Sequence, residues 1–289
     1  MDSFYVQTYI LVIGIICSIT SSRAVCPSDR NKPWCYDDSL PNGPSNWYRT
    51  YCNCSGQMQS PINIITSQVL QDPRNLVVTN YDKPIRQVKI ENNGYRINMY
   101  PMDGVQRTLT FNGSIYMLTS VHFHFGSSSN AGSEHAINGR KYTIECHLEH
   151  KSQDGRLLTL SSFMQQGQIN YSIDVMLVVR GSYTYEGEYF QGQVSKSDSN
   201  NPGRTMIYLD DLVQVGGAYY RYAGSIEFPP CNETKYWLVM KPNKQISSSQ
   251  LQQLYSLYRA QRGANNLEQC HLINNFRPIQ PTNGRPVYG

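Results

Sequence analysis

Six histidines occur in 289 residues, and four of them fall within two short runs. The first run is Ser120-Val121-His122-Phe123-His124-Phe125-Gly126. Read as a β-strand, its period of two puts His122 and His124 on one face, the spacing two imidazoles need to address one metal ion. Alone, His-x-His is a weak signal, because strand histidines commonly bind nothing. The second run, Tyr142–His150 (YTIECHLEH), carries Glu145, His147 and Glu149 on one face and Cys146, Leu148 and His150 on the other. Pairing the two runs could bring His147 beside His122 and His124. That would give three nitrogens with an open fourth position, the arrangement catalytic zinc prefers. Glu145 could then orient a ligand histidine through its other ring nitrogen.

Such a site needs strands to hold it, and strand-like runs recur. Val88–Ile90, Arg96–Tyr100, Thr108–Phe111, Ser120–Phe125, Tyr142–His150, Val175–Arg180, Met206–Leu209 and Tyr236–Met240 are rich in β-branched and aromatic residues. They are separated by Asn-Gly, Asp-Gly and Asn-Pro-Gly turn signals. Only Ser248–Ala260 has a clear helical period, with Leu251, Leu254, Tyr255 and Tyr258 on one face behind a serine cap. No internal repeat, low-complexity tract or linker divides the chain, so one large domain is expected. With 39% hydrophobic and 16% charged residues, the composition excludes a disordered polyelectrolyte and a long coiled coil. The net charge of +4 is spread along the chain without a Lys/Arg cluster, which argues against nucleic acid as a partner.

The apolar run Ile10–Ile19 (ILVIGIICSI) is shorter than the about 20 residues a membrane helix needs, and reads as a signal-peptide core. Ser22 and Ala24 follow as in a small-x-small cleavage site, although Met1–Tyr9 lacks a positive charge. The expectation is a signal peptide over 1–24, a domain over 25–289, no membrane anchor and a secreted product. Losing Cys17 with the signal leaves Cys26, Cys35, Cys52, Cys54, Cys146, Cys231 and Cys270, an odd number for an oxidising compartment. Cys146, inside a strand-like run, is the expected free thiol. Sequons at Asn53, Asn112, Asn170 and Asn232 fit the same export route.

The motif His122-Phe123-His124-Phe125-Gly126, with Gly132-Ser133-Glu134-His135 and Glu145-Cys146-His147-Leu148-Glu149-His150, resembles the zinc-site signature of the α-carbonic anhydrases. Gln59-Ser60-Pro61-Ile62-Asn63-Ile64, Asn92-Asn93-Gly94, Gly224-Ser225-Ile226, Pro229-Pro230, Trp237 and Asn275-Phe276-Arg277-Pro278 match that family's other signatures in order, from about residue 34 to 285. A different metal fold, the cupin, also uses His-x-His, but its glutamate normally follows within a few residues, whereas the first acid here is Glu134. The resemblance implies an α+β, predominantly β domain: a large, twisted, mostly antiparallel central sheet with few peripheral helices and a zinc ion at the bottom of a conical cleft. His122, His124 and His147 match the zinc ligands, Glu145 the carboxylate behind the third, and Glu134 the acid that orients the gatekeeper hydroxyl. His135 and His150 match buried structural histidines. A substrate pocket would fall on Glu149, Phe228 and Trp237. A Cys54–Cys231 disulfide is implied, and Cys26, Cys35, Cys52 and Cys270 could form two more in any of three connectivities.

The implied reaction is reversible hydration of carbon dioxide to bicarbonate and a proton, with zinc lowering the pKa of bound water to about 7. Four positions depart from the family pattern. Glu227 stands where a threonine orients the nucleophile, Tyr95 replaces the proton-shuttling histidine, Glu149 replaces a small apolar wall residue, and Ser120 replaces the glutamine that supports the first ligand. Tyrosine, with an ordinary pKa near 10, relays protons poorly at neutral pH. Glu227 either reaches the metal and displaces the nucleophile, or turns into the cleft and repels Glu134. The expectation is a secreted zinc carbonic anhydrase homologue with weakened activity. Its alternative is a catalytically silent extracellular matrix or binding protein with a closed zinc site.

Overall fold

Val, Ile, Tyr and Phe recurring with a period of two build strands through most of the chain. A computed structural model describes residues 26–128, 131–196, 205–242 and 244–289. The signal-peptide reading of residues 1–24, with Cys17, lies outside the described residues. The strands in chain order are β1 (Asn63–Ile64), β2 (Val77–Thr79), β3 (Gln87–Asn92), β4 (Ile97–Pro101), β5 (Thr108–Phe111), β6 (Ser114–Phe125) and β7 (Ala136–Ile137). They continue with β8 (Ile144–Ser152), β9 (Leu157–Gln166), β10 (Tyr189–Gln193), β11 (Tyr219–Gly224), β12 (Lys235–Met240) and β13 (Lys244–Ile246). The helices are short: α1 (Pro27–Asn31), α2 (Tyr171–Leu177), α3 (Leu209–Leu212) and α4 (Ser248–Tyr255). Among the described residues no helix is long and apolar enough to cross a membrane.

Eleven strands form one sheet with the path β10-β3-β4-β6-β8-β9-β12-β11, and β2, β5 and β13 attach at its sides. Its pairings are antiparallel except β12 with β9 and β13 with β9. The large, mostly antiparallel single-domain sheet expected from the sequence is therefore what this chain forms. One face of the central strands carries Val121, Phe123, Phe125, Cys146, Leu148, Leu158 and Leu160 into the main core, where α2 and α4 bring Ile173, Met176, Leu251 and Leu254. Each such side chain contributes about 1.5–3 kcal/mol when fully buried. The alternate residues of the same strands face the other way and build the site.

The structure corrects several local expectations. Val175–Arg180 is not a strand: Asn170 caps a helix by accepting from Ile173 N, and Ile173, Met176 and Leu177 bury at helical spacing. Met206–Leu209 is not a strand either; Ile207 makes one bridge to Ile85, and Leu209 opens α3. The predicted Ser248–Ala260 helix stops at Tyr255, after a Ser247–Gln250 capping box. Strands β1, β2, β7, β9, β10, β11 and β13 are not among the runs expected from the sequence, β9 because Thr159, Ser161 and Ser162 interrupt its apolar pattern.

Cys54 is bonded to Cys231 and Cys26 to Cys270. Of the two further bridges that Cys26, Cys35, Cys52 and Cys270 could form, Cys26–Cys270 is made, and among the described residues Cys35, Cys52 and Cys146 are free. Cys35 is buried and donates to Asn42 Oδ1 at 3.3 Å, whereas Cys52 is exposed. The Asn170 sequon fits a glycan poorly. Its side chain is buried, with Nδ2 donating to the Asp211 and Gln245 carbonyls while Oδ1 caps α2.

Candidate metal centre

Register sets the centre. β6 and β8 pair so that His122 stands opposite His147 and His124 opposite Glu145. A shift between Leu118 and Ser120 adjusts β6 just before the two histidines. The three imidazole rings lie 4.6–5.0 Å apart, centroid to centroid, and are buried. His124 Nδ1 donates to the Asn275 carbonyl at 2.6 Å, and His147 Nε2 donates to Glu145 Oε1 at 2.8 Å. These bonds leave His124 Nε2 and His147 Nδ1 facing the centre. His122 Nε2 lies 3.1 Å from His147 Nδ1, while His122 Nδ1 has no hydrogen-bond partner among the described residues, as expected where Ser120 stands in place of a supporting glutamine.

Glu227 supplies the fourth side. It sits on the loop after β11, held by a Ser60–Ser225 exchange of hydrogen bonds, by the Trp237 indole on the Ser225 carbonyl, and by the Cys54–Cys231 bridge. Its Oε1 lies 3.3 Å from His122 Nε2 and 3.5 Å from His147 Nδ1 and has no hydrogen-bond partner among the described residues. Its Oε2 accepts from Lys235 Nζ at 3.0 Å. The carboxylate thus faces the histidines.

The donor set suits a metal cation. Burial and the Arg96 charge hold His122 well below the usual imidazole range, and burial holds His124 down at about 3, so both present lone pairs at neutral pH. Burial also works against charge on His147, but Glu145 and Glu227 outweigh it and hold it up at about 10. A pocket that favours a proton so strongly at Nδ1 favours a cation in its place. His124 Nε2 and Glu227 Oε1, both buried without partners among the described residues, are what a metal would satisfy. His122, His124, His147 and Glu227 form one cluster of ligand atoms within 4.8 Å of one another.

Behind the ligands, Glu145 Oε1 also accepts from His135 Nδ1 and Ser161 Oγ, both at 2.6 Å. Burial works to raise Glu145, but its histidine partners outweigh this and keep it well below the usual carboxylate range. Glu134 is reached by a chain whose Gly132 passes so close to Thr143 that a Cβ would lie 1.9 Å from its carbonyl oxygen. Glu134 Oε1 accepts from Arg277 N at 2.8 Å and lies 3.6 Å from His124 Nδ1. Burial first, and then the Glu227 charge, push Glu134 up to about 8. His150, on the opposite face of β8, meets the Tyr81 hydroxyl in the core.

The residues expected at the substrate pocket have polar and aromatic partners. Glu149 accepts from Thr159 Oγ1 at 3.0 and 3.1 Å and from Lys235 Nζ at 2.9 Å. Trp237 is buried, its ring edging His135 and His147. Phe228 lies under the Arg96 guanidinium at 4.0 Å and beside Trp34. Tyr95 stacks on Trp34 at 4.0 Å with Lys32 above its ring, and burial pushes its hydroxyl still further up from the tyrosine range. Sequence reasoning missed Lys235 and Tyr36, whose hydroxyl is buried without a partner among the described residues. Lys235 was detectable: two residues before Trp237 on a strand, it must share that residue's face.

A family description of eukaryotic-type carbonic anhydrases matches residues 42–289. The chain is 29% identical over 273 residues to carbonic anhydrase 7 of Mus musculus, covering 88% of this chain and 96% of that protein. It is 30% identical over 266 residues to carbonic anhydrase 7 of Homo sapiens, covering 85% and 93%. It is 31% identical over 261 residues to carbonic anhydrase 3 of Equus caballus, covering 89% and 97%.

Proposed function

This chain belongs to the eukaryotic-type carbonic anhydrase family, and we propose that it is a secreted zinc protein in which Glu227 closes the metal site and suppresses the carbon dioxide hydration typical of the family. The observation that carries this is the position of Glu227 Oε1, unpartnered and within 3.5 Å of His122 Nε2 and His147 Nδ1. His122, His124 and His147 would hold zinc with Glu227 as fourth donor, a closed set of the structural rather than the catalytic kind. Bound zinc supplies Lewis acidity and activates water where a coordination position is open.

The chain's own residues point the same way. Glu227 presents a carboxylate where a hydroxyl would orient the nucleophile, so Glu134 has no gatekeeper proton to receive. Tyr95, raised by burial and stacked against Trp34, cannot carry a proton away near pH 7. Glu149 and Lys235 place a charged pair where carbon dioxide needs an apolar surface. Secretion is supported by two disulfides and by the apolar run at Ile10–Ile19. With complete closure the zinc serves structure alone, and the protein acts as an extracellular matrix or binding protein on a carbonic anhydrase scaffold. Titration of the zinc-loaded protein with an aromatic sulfonamide, a ligand that needs an open metal position, tests the reading. Weak binding by wild type and tight binding by Glu227→Thr are expected; tight binding by wild type contradicts it.

A further inference from the structure

We propose that Lys235 is a positioning residue that commits one oxygen of Glu227 and thereby limits the carboxylate to a single donor atom toward the metal. The inference rests on the reading of Glu227 as a metal donor. Lysine is almost never fully buried unless paired, yet Lys235 is 3% exposed. Nζ bridges two carboxylates, Glu227 Oε2 at 3.0 Å and Glu149 Oε1 at 2.9 Å, and lies 4.7 Å over the Trp237 ring. Register fixes this arrangement: Glu149 on β8 stands opposite Thr159 on β9, which stands opposite Trp237 on β12, two residues from Lys235. Thr159 Oγ1 in turn holds the Glu149 carboxylate.

A carboxylate with both oxygens free can chelate a cation, whereas one with an oxygen hydrogen-bonded to an ammonium offers only the other. In Glu227 the committed atom is Oε2 and the free one is Oε1, which faces the histidines. Arg96 Nη1 stands 4.0 Å from Oε1, beyond hydrogen-bonding reach, and does not compete for it. Glu149 balances the lysine charge, so the Glu149–Lys235 pair fixes Glu227 without adding net charge. The role belongs to these three residues together.

Cobalt(II) substitution reads the arrangement, because four-coordinate cobalt absorbs visible light more strongly than five-coordinate cobalt. The wild-type protein should show intense bands that an aromatic sulfonamide leaves unchanged. Lys235→Met should release Oε2 and lower the band intensity by roughly twofold or more as coordination number rises. Because that variant strands Glu149 in the interior, the double variant Glu149→Leu/Lys235→Met, which leaves neither member of the pair, provides the same readout if the single variant does not fold. Sulfonamide-sensitive bands in the wild type would overturn the Glu227 reading itself. Insensitive wild-type bands whose intensity both the single and the double variant retain would overturn the Lys235 proposal alone.

Discussion

Lys235 Nζ donates to Glu227 Oε2 at 3.0 Å inside the protein, with both side chains at most 2% exposed. At the position where carbonic anhydrases carry a gatekeeper hydroxyl, this chain therefore holds an ion pair. Burial by itself would raise Glu227, but Lys235 and the neighbouring His122 and His147 outweigh it and keep the carboxylate well below its usual range. Burial, and then the Glu227 charge, push Glu134 up to about 8. Two buried carboxylates near one another are thus held in opposite directions, Glu227 down and Glu134 up.

The histidines should hold one zinc per chain. Elemental analysis after mild chelation is expected to find full occupancy in the wild type and a large loss in His124→Ala, which removes the imidazole that Asn275 orients. Full occupancy in that variant would rule out the ligand assignment.

Cys54–Cys231 spans 177 residues of sequence, and in the chain-entropy account a bridge of that length stabilises by about 5 kcal/mol. Peptide mapping without reduction should recover Cys54 with Cys231 and Cys26 with Cys270. An alkylating reagent should label Cys52 in the native protein. Burial pushes the Cys35 thiol up to about 11, so Cys35 and the buried Cys146 should react only after unfolding.

His150 supplies an acid limit. Burial holds it down at about 4, whereas an unfolded histidine titrates near 6.5, so below that pH the unfolded state takes up the proton first. Its contribution is fully retained above about pH 6.5 and lost progressively toward pH 4, by roughly 3 kcal/mol in all. Denaturant unfolding of His150→Gln across that window should show a pH slope shallower by about one proton. An unchanged slope would mean that other groups set the acid limit.

Asn170 should be unglycosylated in the mature protein, since both its amide donors and its oxygen are used inside the fold. Replacing it with alanine should cost about 1–2 kcal/mol through the lost helix cap. Mass spectrometry of tryptic glycopeptides checks the first point and thermal unfolding the second. Asn112 lies in an exposed turn, its Oδ1 accepting from Arg74 Nη1 at 2.9 Å.

Much of the site was readable because alternation is a rigid rule. Once His122, His124, Glu145 and His147 are placed on two strands, their shared face follows, and the pairing of His122 with His147 completes it. Strand β9 escaped notice because Thr159 and Ser161 break its apolar pattern. Those two hydroxyls are turned inward to bind Glu149 and Glu145, so the irregularity in the pattern was itself a mark of the site. Val175–Arg180 misled because β-branched residues suit a strand locally, whereas the Asn170 cap upstream and burial against α4 favour a helix. The direction of Glu227 depends on Lys235, a partner eight residues away that joins it only through strand register, which local sequence patterns do not contain.

The most direct test is stopped-flow carbon dioxide hydration by zinc-loaded wild type beside Glu227→Thr. Restoring the hydroxyl should raise the rate at least tenfold, a barrier change of about 1.4 kcal/mol, with the variant still limited by Tyr95 and by the Glu149–Lys235 pair. A wild-type protein that already hydrates carbon dioxide as fast as the threonine variant would show that Glu227 leaves the metal open and that the chain is an ordinary carbonic anhydrase.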